Sequence, residues 1–179
     1  VTEFLFFHFY YLSFMIYLCY TKKEVKAMNT QLFLQQAYEL VKDEENITAN
    51  LANMSAFLNE IIPDINWVGF YLVDNHELIL GPFQGKVACL RIPIGQGVCG
   101  KAALLHQTIC VADVHQFSGH IACDSRSKSE IVIPIIVQNE LMGVLDIDSP
   151  YFNRFTLNDQ DFLEKIVEII AEYIFKKIV

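Results

Sequence analysis

The run Ile131-Val132-Ile133-Pro134-Ile135-Ile136-Val137 carries no charge and most restricts how this chain of 179 residues can fold. With the stretch that follows Asn139 it predicts two strands, 130–138 and 140–148, joined as a hairpin. A second hairpin is predicted upstream. Residues 66–73 alternate, with Trp67, Gly69 and Tyr71 on one side and Val68, Phe70 and Leu72 on the other. Asp74-Asn75-His76-Glu77 turns the chain, and Leu78-Ile79-Leu80 returns it as far as Gly81-Pro82. Further strands are predicted over 84–93 and 108–111. Consecutive hairpins call for a mostly antiparallel sheet.

Helical spacing brackets these strands. Leu32, Phe33, Ala37, Leu40 and Val41 recur at that spacing over 30–44. Ile47, Leu51, Met54, Leu58 and Ile61 make a second stripe, stopped by Pro63. Residues 94–103 read as a tight glycine-rich turn from strand into helix, without a phosphate-loop pattern. Thr156-Leu157-Asn158-Asp159 offers cap chemistry for a last helix that turns Phe162, Ile166, Ile169, Ile170, Tyr173 and Ile174 inward. The expected class is α+β: a mostly antiparallel central sheet flanked by helices. A free edge on either early helix offers a homodimer contact.

The first twenty residues stand apart, with nine of the 23 aromatics and one charged side chain. The run is short for a membrane span and lacks the basic start and small-residue cleavage site of a signal peptide. It reads better as upstream sequence translated in frame. On that expectation Met28 is the start, residues 1–27 are a leader outside the fold, and 28–179 form a single domain.

A net charge of -8 without a Lys/Arg cluster opposes binding to nucleic acid. Five cysteines in a chain of this length imply reduced thiols in a cytoplasmic setting, with any disulfide transient. One of them, Cys123, lies among His120, Asp124, Arg126, Lys128 and Glu130. Nearby basic groups compensate thiolate charge, which makes Cys123 a candidate nucleophile, though the same charges also suit a solvated loop. Cys110, between apolar neighbours on a short strand, reads as an inert core thiol. Asp146 and Asp148 share a face of their strand and repel each other, which raises one pKa or demands a cation. Trp67 and Tyr71 share another face, each with a polar edge in need of a partner. A zinc cluster of Cys89, Cys99, His120 and Cys123 lacks the usual close-spaced ligand pair. No metal or cofactor is expected.

Together, Trp67-Val68-Gly69-Phe70-Tyr71, Gly81-Pro82-Phe83-Gln84-Gly85, Ile94-Gly95-Gln96-Gly97-Val98-Cys99-Gly100, Gly119-His120-Ile121-Ala122-Cys123-Asp124 and Gly143-Val144-Leu145-Asp146-Ile147-Asp148 resemble the free methionine-(R)-sulfoxide reductases, which are single GAF domains. The resemblance spans about 30–175. It implies that Cys123 is the catalytic thiol, Cys89 the principal resolving thiol and Cys99 a third cysteine of less settled role. It also implies that Trp67, Tyr71, Glu130, Asp146 and Asp148 bind free methionine sulfoxide, and that thioredoxin is the reductant. Which carboxylate donates the proton stays open. A GAF module that binds a small ligand without turnover, and a zinc-binding adaptor, are the alternatives.

Overall fold

A computed structural model describes residues 22–121 and 124–176. The chain divides into two units, residues 1–36 and 37–179. The leader reading falls mostly on residues outside those described.

Among the described residues, four α-helices and six strands follow one another as α1 (Lys22–Val41), α2 (Ile47–Ile61), β1 (Trp67–Asp74), β2 (Glu77–Gly85), β3 (Arg91–Pro93), α3 (Gly97–Leu105), β4 (Ile109–Val111), β5 (Ser129–Val137), β6 (Glu140–Ser149) and α4 (Leu157–Ile170). Every neighbouring pair in the sheet is antiparallel, in the order β3-β2-β1-β6-β5-β4. The hairpin over Asn139 closes as read, with Gln138 and Asn139 at φ 50° and 69°. Two successive positive φ values give the tight turn whose twist suits paired strands.

Alternation along the central strands sorts the core into two layers. Trp67 and Tyr71 share one layer with Val98, Ala102 and Ala103 of α3 and with Val132 and Val144. Val68, Phe70, Leu145 and Ile147 point the other way, where α2 packs on β1 and β2 and α4 packs on β5. Both helices start on side-chain caps. Asn46 Oδ1 accepts from the Ala49 amide at 2.9 Å, and Thr156 with Asp159 forms a reciprocal capping box. Leu51, Met54 and Leu58 of α2 and Leu163, Ile166 and Ile170 of α4 are buried. Among the described residues no helix is long and apolar enough to cross a membrane.

The structure corrects several expectations. Residues 84–93 are not one strand: β2 runs on to Gly85, residues 86–90 form a loop, and pairing resumes only at Arg91 opposite Ile79. Cys89 is therefore a loop residue. Leu32 and Leu40, placed on an inward stripe, are exposed. At about 100° per residue, Leu40 lies well round the helix from the buried Val41. Cys110 is no core thiol. It pairs with Ile131 on the edge strand and lies exposed, its Sγ 3.8 Å from the Phe155 carbonyl. Its neighbours Ile109 and Val111 face the other layer, so a strand of three residues misled by one step.

Gly69 decides how the aromatic layer closes. A methyl there would overlap Phe83 Cβ and lie 2.7 Å from the Trp67 ring. Its absence lets Trp67 stack on Phe83 at 5.3 Å between centroids and on Tyr71 at 6.0 Å. Gly69→Ala is expected to destabilise the protein by about 1–3 kcal/mol, the usual cost of overpacking. It should also move the emission of Trp67, the one tryptophan in the chain. A urea midpoint and emission maximum like those of the parent would show that the position tolerates a side chain.

Candidate active site

Sheet register assembles an acidic corner. Trp67 faces Asp148 across β1 and β6, and Asp148 faces Glu130 across β6 and β5. One step along, Gly69 faces Asp146, and Asp146 faces Val132. Glu130, Asp146 and Asp148 thus lie on one face of neighbouring strands. They line a single cavity with Trp67, Tyr71, Val98, Cys99 and His120, enclosing about 520 Å³ of empty space with its open mouth included.

The aromatic wall also ties down the Cys89 loop. Trp67 Nε1 donates to the Lys86 carbonyl and the Tyr71 hydroxyl to the Cys89 carbonyl, each at 3.0 Å. Both polar edges thereby find the partners that burial demands. Opposite them, α3 enters through Gly97 at φ 62°, where a Cβ would press on the Ile121 side chain at 3.3 Å. Its first turn brings Cys99 into the pocket, with Sγ 3.8 Å from Glu130 Oε1.

Charge inside this cavity is short of compensation. Glu130 and Asp146 are 6% exposed, and Asp146 Oδ1 is buried without a hydrogen-bond partner among the described residues. Burial pushes the Glu130 carboxyl well above its ordinary range, with Asp146 and Asp148 adding repulsion. Burial likewise raises Asp148, and it lifts Asp146 to about 7 against the lowering effect of hydrogen bonds from Cys99 and Glu130. The Cys99 thiol is pushed up by burial and then by Asp146 and Glu130. It is held protonated. His120 Nε2 lies 3.8 Å from Glu130 Oε2, but burial lowers the imidazole pKa, so the two are neighbours rather than an ion pair.

Cys123 itself lies outside the described residues. Its flanking residues Ile121 and Asp124 line the cavity. Two of the basic groups named near Cys123 in the sequence, Arg126 and Lys128, have partners among the described residues, and Lys86 joins Arg126. Arg126 donates through Nε and Nη2 to Asp124 Oδ2 at 3.1 and 2.9 Å, Lys86 Nζ is 3.9 Å from Asp124 Oδ1, and Lys128 sits 5.0 Å from the centre of the Phe152 ring. Arg126 holds the Asp124 carboxyl down at about 2. Asn66 and Ser127 were not singled out in the sequence, yet they knit the loop to the sheet. Asn66 Nδ2 donates to Asp124 Oδ2 at 3.3 Å and to Ser127 Oγ at 3.0 Å, and Ser127 also bonds Asp148. No local pattern marks contacts between residues about sixty positions apart.

Among the candidate residues, Trp67, Tyr71, Cys99, Glu130, Asp146 and Asp148 meet in one cavity, with Cys89 in the loop against its aromatic wall. The free thiols of the described residues are Cys99 and Cys110. One oxygen of Glu130, one of Asp146 and Cys99 Sγ form a potential metal-ligand group.

The three raised carboxyl groups make stability depend on pH. The folded protein keeps protons that the unfolded chain releases near pH 4, so their stabilising contribution is complete below about that pH and is lost as pH rises through the folded values. Unfolding free energy is expected to decline from about pH 4 through Asp146's pKa of about 7. Asp146→Asn should flatten that decline. Urea titrations of both proteins across pH 4–9 check this, and a parent that gains stability over that range would refute the assignment.

Comparison with known proteins agrees with this geometry. The GAF domain model matches residues 44–174. The chain is 51% identical over 142 residues to the free methionine-R-sulfoxide reductase of Escherichia coli (strain K12), covering 77% of this chain and 86% of that protein. It resembles the solved structure of fRMsr of Staphylococcus aureus in its reduced form at 56% identity and a TM-score of 0.79, over 81% and 94% of the two chains. It also resembles free methionine-R-sulfoxide reductase from Neisseria meningitidis in complex with its substrate, at 44% identity and a TM-score of 0.79 over 83% and 89%. With its antiparallel sheet, its acidic cavity and these relatives, the chain belongs to the free methionine-R-sulfoxide reductase family of GAF domains.

Proposed function

We propose that this protein reduces free L-methionine-(R)-sulfoxide to methionine in the cytoplasm, through a thiol cycle reopened by a dithiol protein of the thioredoxin type. The observation that carries the reading is the acidic cavity. Four carboxylates line it; Asp124 is paired with Lys86 and Arg126, while among the described residues no ion pair of Lys or Arg is made to Glu130, Asp146 or Asp148. A ligand bearing its own cation supplies the missing charge. A free amino acid has an ammonium and a peptide-bound methionine has none, so the corner selects one against the other. Trp67 and Tyr71 offer an apolar wall for the methyl-sulfinyl end.

In the proposed cycle Cys123 thiolate attacks the sulfoxide sulfur and supplies the electron pair that reduces it. Glu130, kept protonated by burial, gives its proton to the oxygen, which passes to Cys123 as a sulfenic acid while methionine leaves. Cys89 then attacks the Cys123 sulfur. The S–O bond breaks, water departs with one proton, and a Cys89–Cys123 disulfide forms for the reductant to exchange. Cys99, with its raised pKa and its contact to Glu130, serves better as a pocket donor than as a nucleophile.

Two experiments test this. Free methionine-(R)-sulfoxide should be reduced at least tenfold more efficiently than its N-acetyl derivative, since acetylation removes the charge. Equal kcat/KM for the two would remove the basis for an ammonium clamp. In the second, methionine released per subunit is measured without any external reductant. Cys123→Ser should release none and Cys89→Ser up to one equivalent, whereas Cys110→Ser, altered on the exposed edge strand, should match the parent. Release from Cys123→Ser at the parental level would place the nucleophile elsewhere.

A further inference from the structure

The corner that lacks a cation also has the donors of a metal site. Cys99 Sγ, one oxygen of Glu130 and one of Asp146 lie within 4.8 Å of one another on buried residues, with the sulfur 3.8 Å from Glu130 Oε1. A second observation is independent of that clustering. Asp146 is 6% exposed and lines the cavity, yet its Oδ1 has no hydrogen-bond partner among the described residues, so a lone pair is left for a ligand.

We propose that Cys99, Glu130 and Asp146 bind a thiophilic divalent cation of the Zn²⁺ class within this cavity. The donor set selects the metal. On binding, Zn²⁺ displaces the Cys99 and carboxyl protons to solvent, and the resulting thiolate beside two carboxylates suits it, whereas Mg²⁺ and Ca²⁺ take oxygen ligands and gain nothing from sulfur. Around a tetrahedral zinc ion, bond lengths of about 2.3 Å to sulfur and 2.1 Å to oxygen place neighbouring donors roughly 3.4–3.6 Å apart. The present separations, up to 4.8 Å, exceed that spacing by about 1 Å. The ion brings two positive charges to three buried acidic groups. His120 Nε2, 3.8 Å from Glu130 Oε2, offers a further donor.

This site is distinct from the cluster of Cys89, Cys99, His120 and Cys123 weighed from sequence, because it uses neither redox cysteine. A metal ion here occupies the ground assigned above to the substrate ammonium, so the two exclude each other.

The full-length Cys89→Ser/Cys123→Ser double variant removes the competing thiols and is the protein to use. After reduction and removal of the reductant, it is titrated with ZnCl₂ and MgCl₂ by calorimetry and with CoCl₂ by absorption. Expected are one equivalent of bound Zn²⁺, no Mg²⁺ binding, and a sulfur-to-cobalt charge-transfer band in the near ultraviolet. Adding Cys99→Ser should abolish the band. Adding either Cys99→Ser or Asp146→Asn should weaken Zn²⁺ binding at least tenfold. No Zn²⁺ uptake by the double variant, or a cobalt complex lacking the band, would overturn the proposal even if the further variants failed to fold. Unchanged Zn²⁺ affinity in folded Cys99→Ser and Asp146→Asn variants would overturn it as well.

Discussion

Three carboxylates gathered on one face of an antiparallel sheet, Glu130 and Asp146 buried and Asp148 half-buried, are the constraint on which the rest of this structure depends. Register places them there: Asp148 stands opposite both Trp67 and Glu130, and Asp146 stands opposite Gly69. Charging such groups out of water is costly unless an opposite charge arrives. The protein answers by holding protons, with Asp146 at about 7 and its two neighbours raised well above the usual carboxylate range. Folding therefore leaves the corner largely protonated, with Asp146 about half ionised near pH 7, and a cation that enters can draw further charge out of it. Amine and metal ion are two forms of the same complement.

The walls of the cavity follow from small steric decisions. Gly69 leaves room for Trp67 to lie flat on Phe83. Trp67 and Tyr71 then use their polar edges to hold the backbone of the Cys89 loop. On the far side, Asp124 gathers Arg126, Lys86 and Asn66, so the loop that precedes β5 is fastened one residue beyond Cys123. Cys89 thus lies in a loop held by β1, and Asp124 is tied to Asn66 at the start of that strand.

Much of this was legible in the sequence because strands advertise themselves by alternation. The two hairpins, the tight turn over Asn139 and the cap at Thr156 stand where their local chemistry puts them. Asp146 and Asp148 share a face by the same period of two. What failed was short or depended on distant contacts. Cys110 sits in a three-residue edge strand, where apolar neighbours do not reveal which face is covered. Residues 86–90 look like strand, but β3 has only three residues to pair and the loop is held by side chains from β1. In space Arg126 and Lys86 converge on Asp124, while Lys128 lies over Phe152, a rearrangement that no spacing announces.

Proton release on ligand binding tests the ammonium clamp most directly. Calorimetry at pH 7 in buffers of different ionisation enthalpy counts protons exchanged when Cys123→Ser protein, which cannot turn over in the proposed cycle, binds free methionine-(R)-sulfoxide. The ligand already carries its ammonium, so ionisation of the acidic corner should release about half a proton or more, because Asp146 with its pKa of about 7 is near half-protonated there. The N-acetyl derivative should release none. Tight binding of the free amino acid with no proton release, or equal release by both ligands, would contradict the view that the pocket is built around the missing cation.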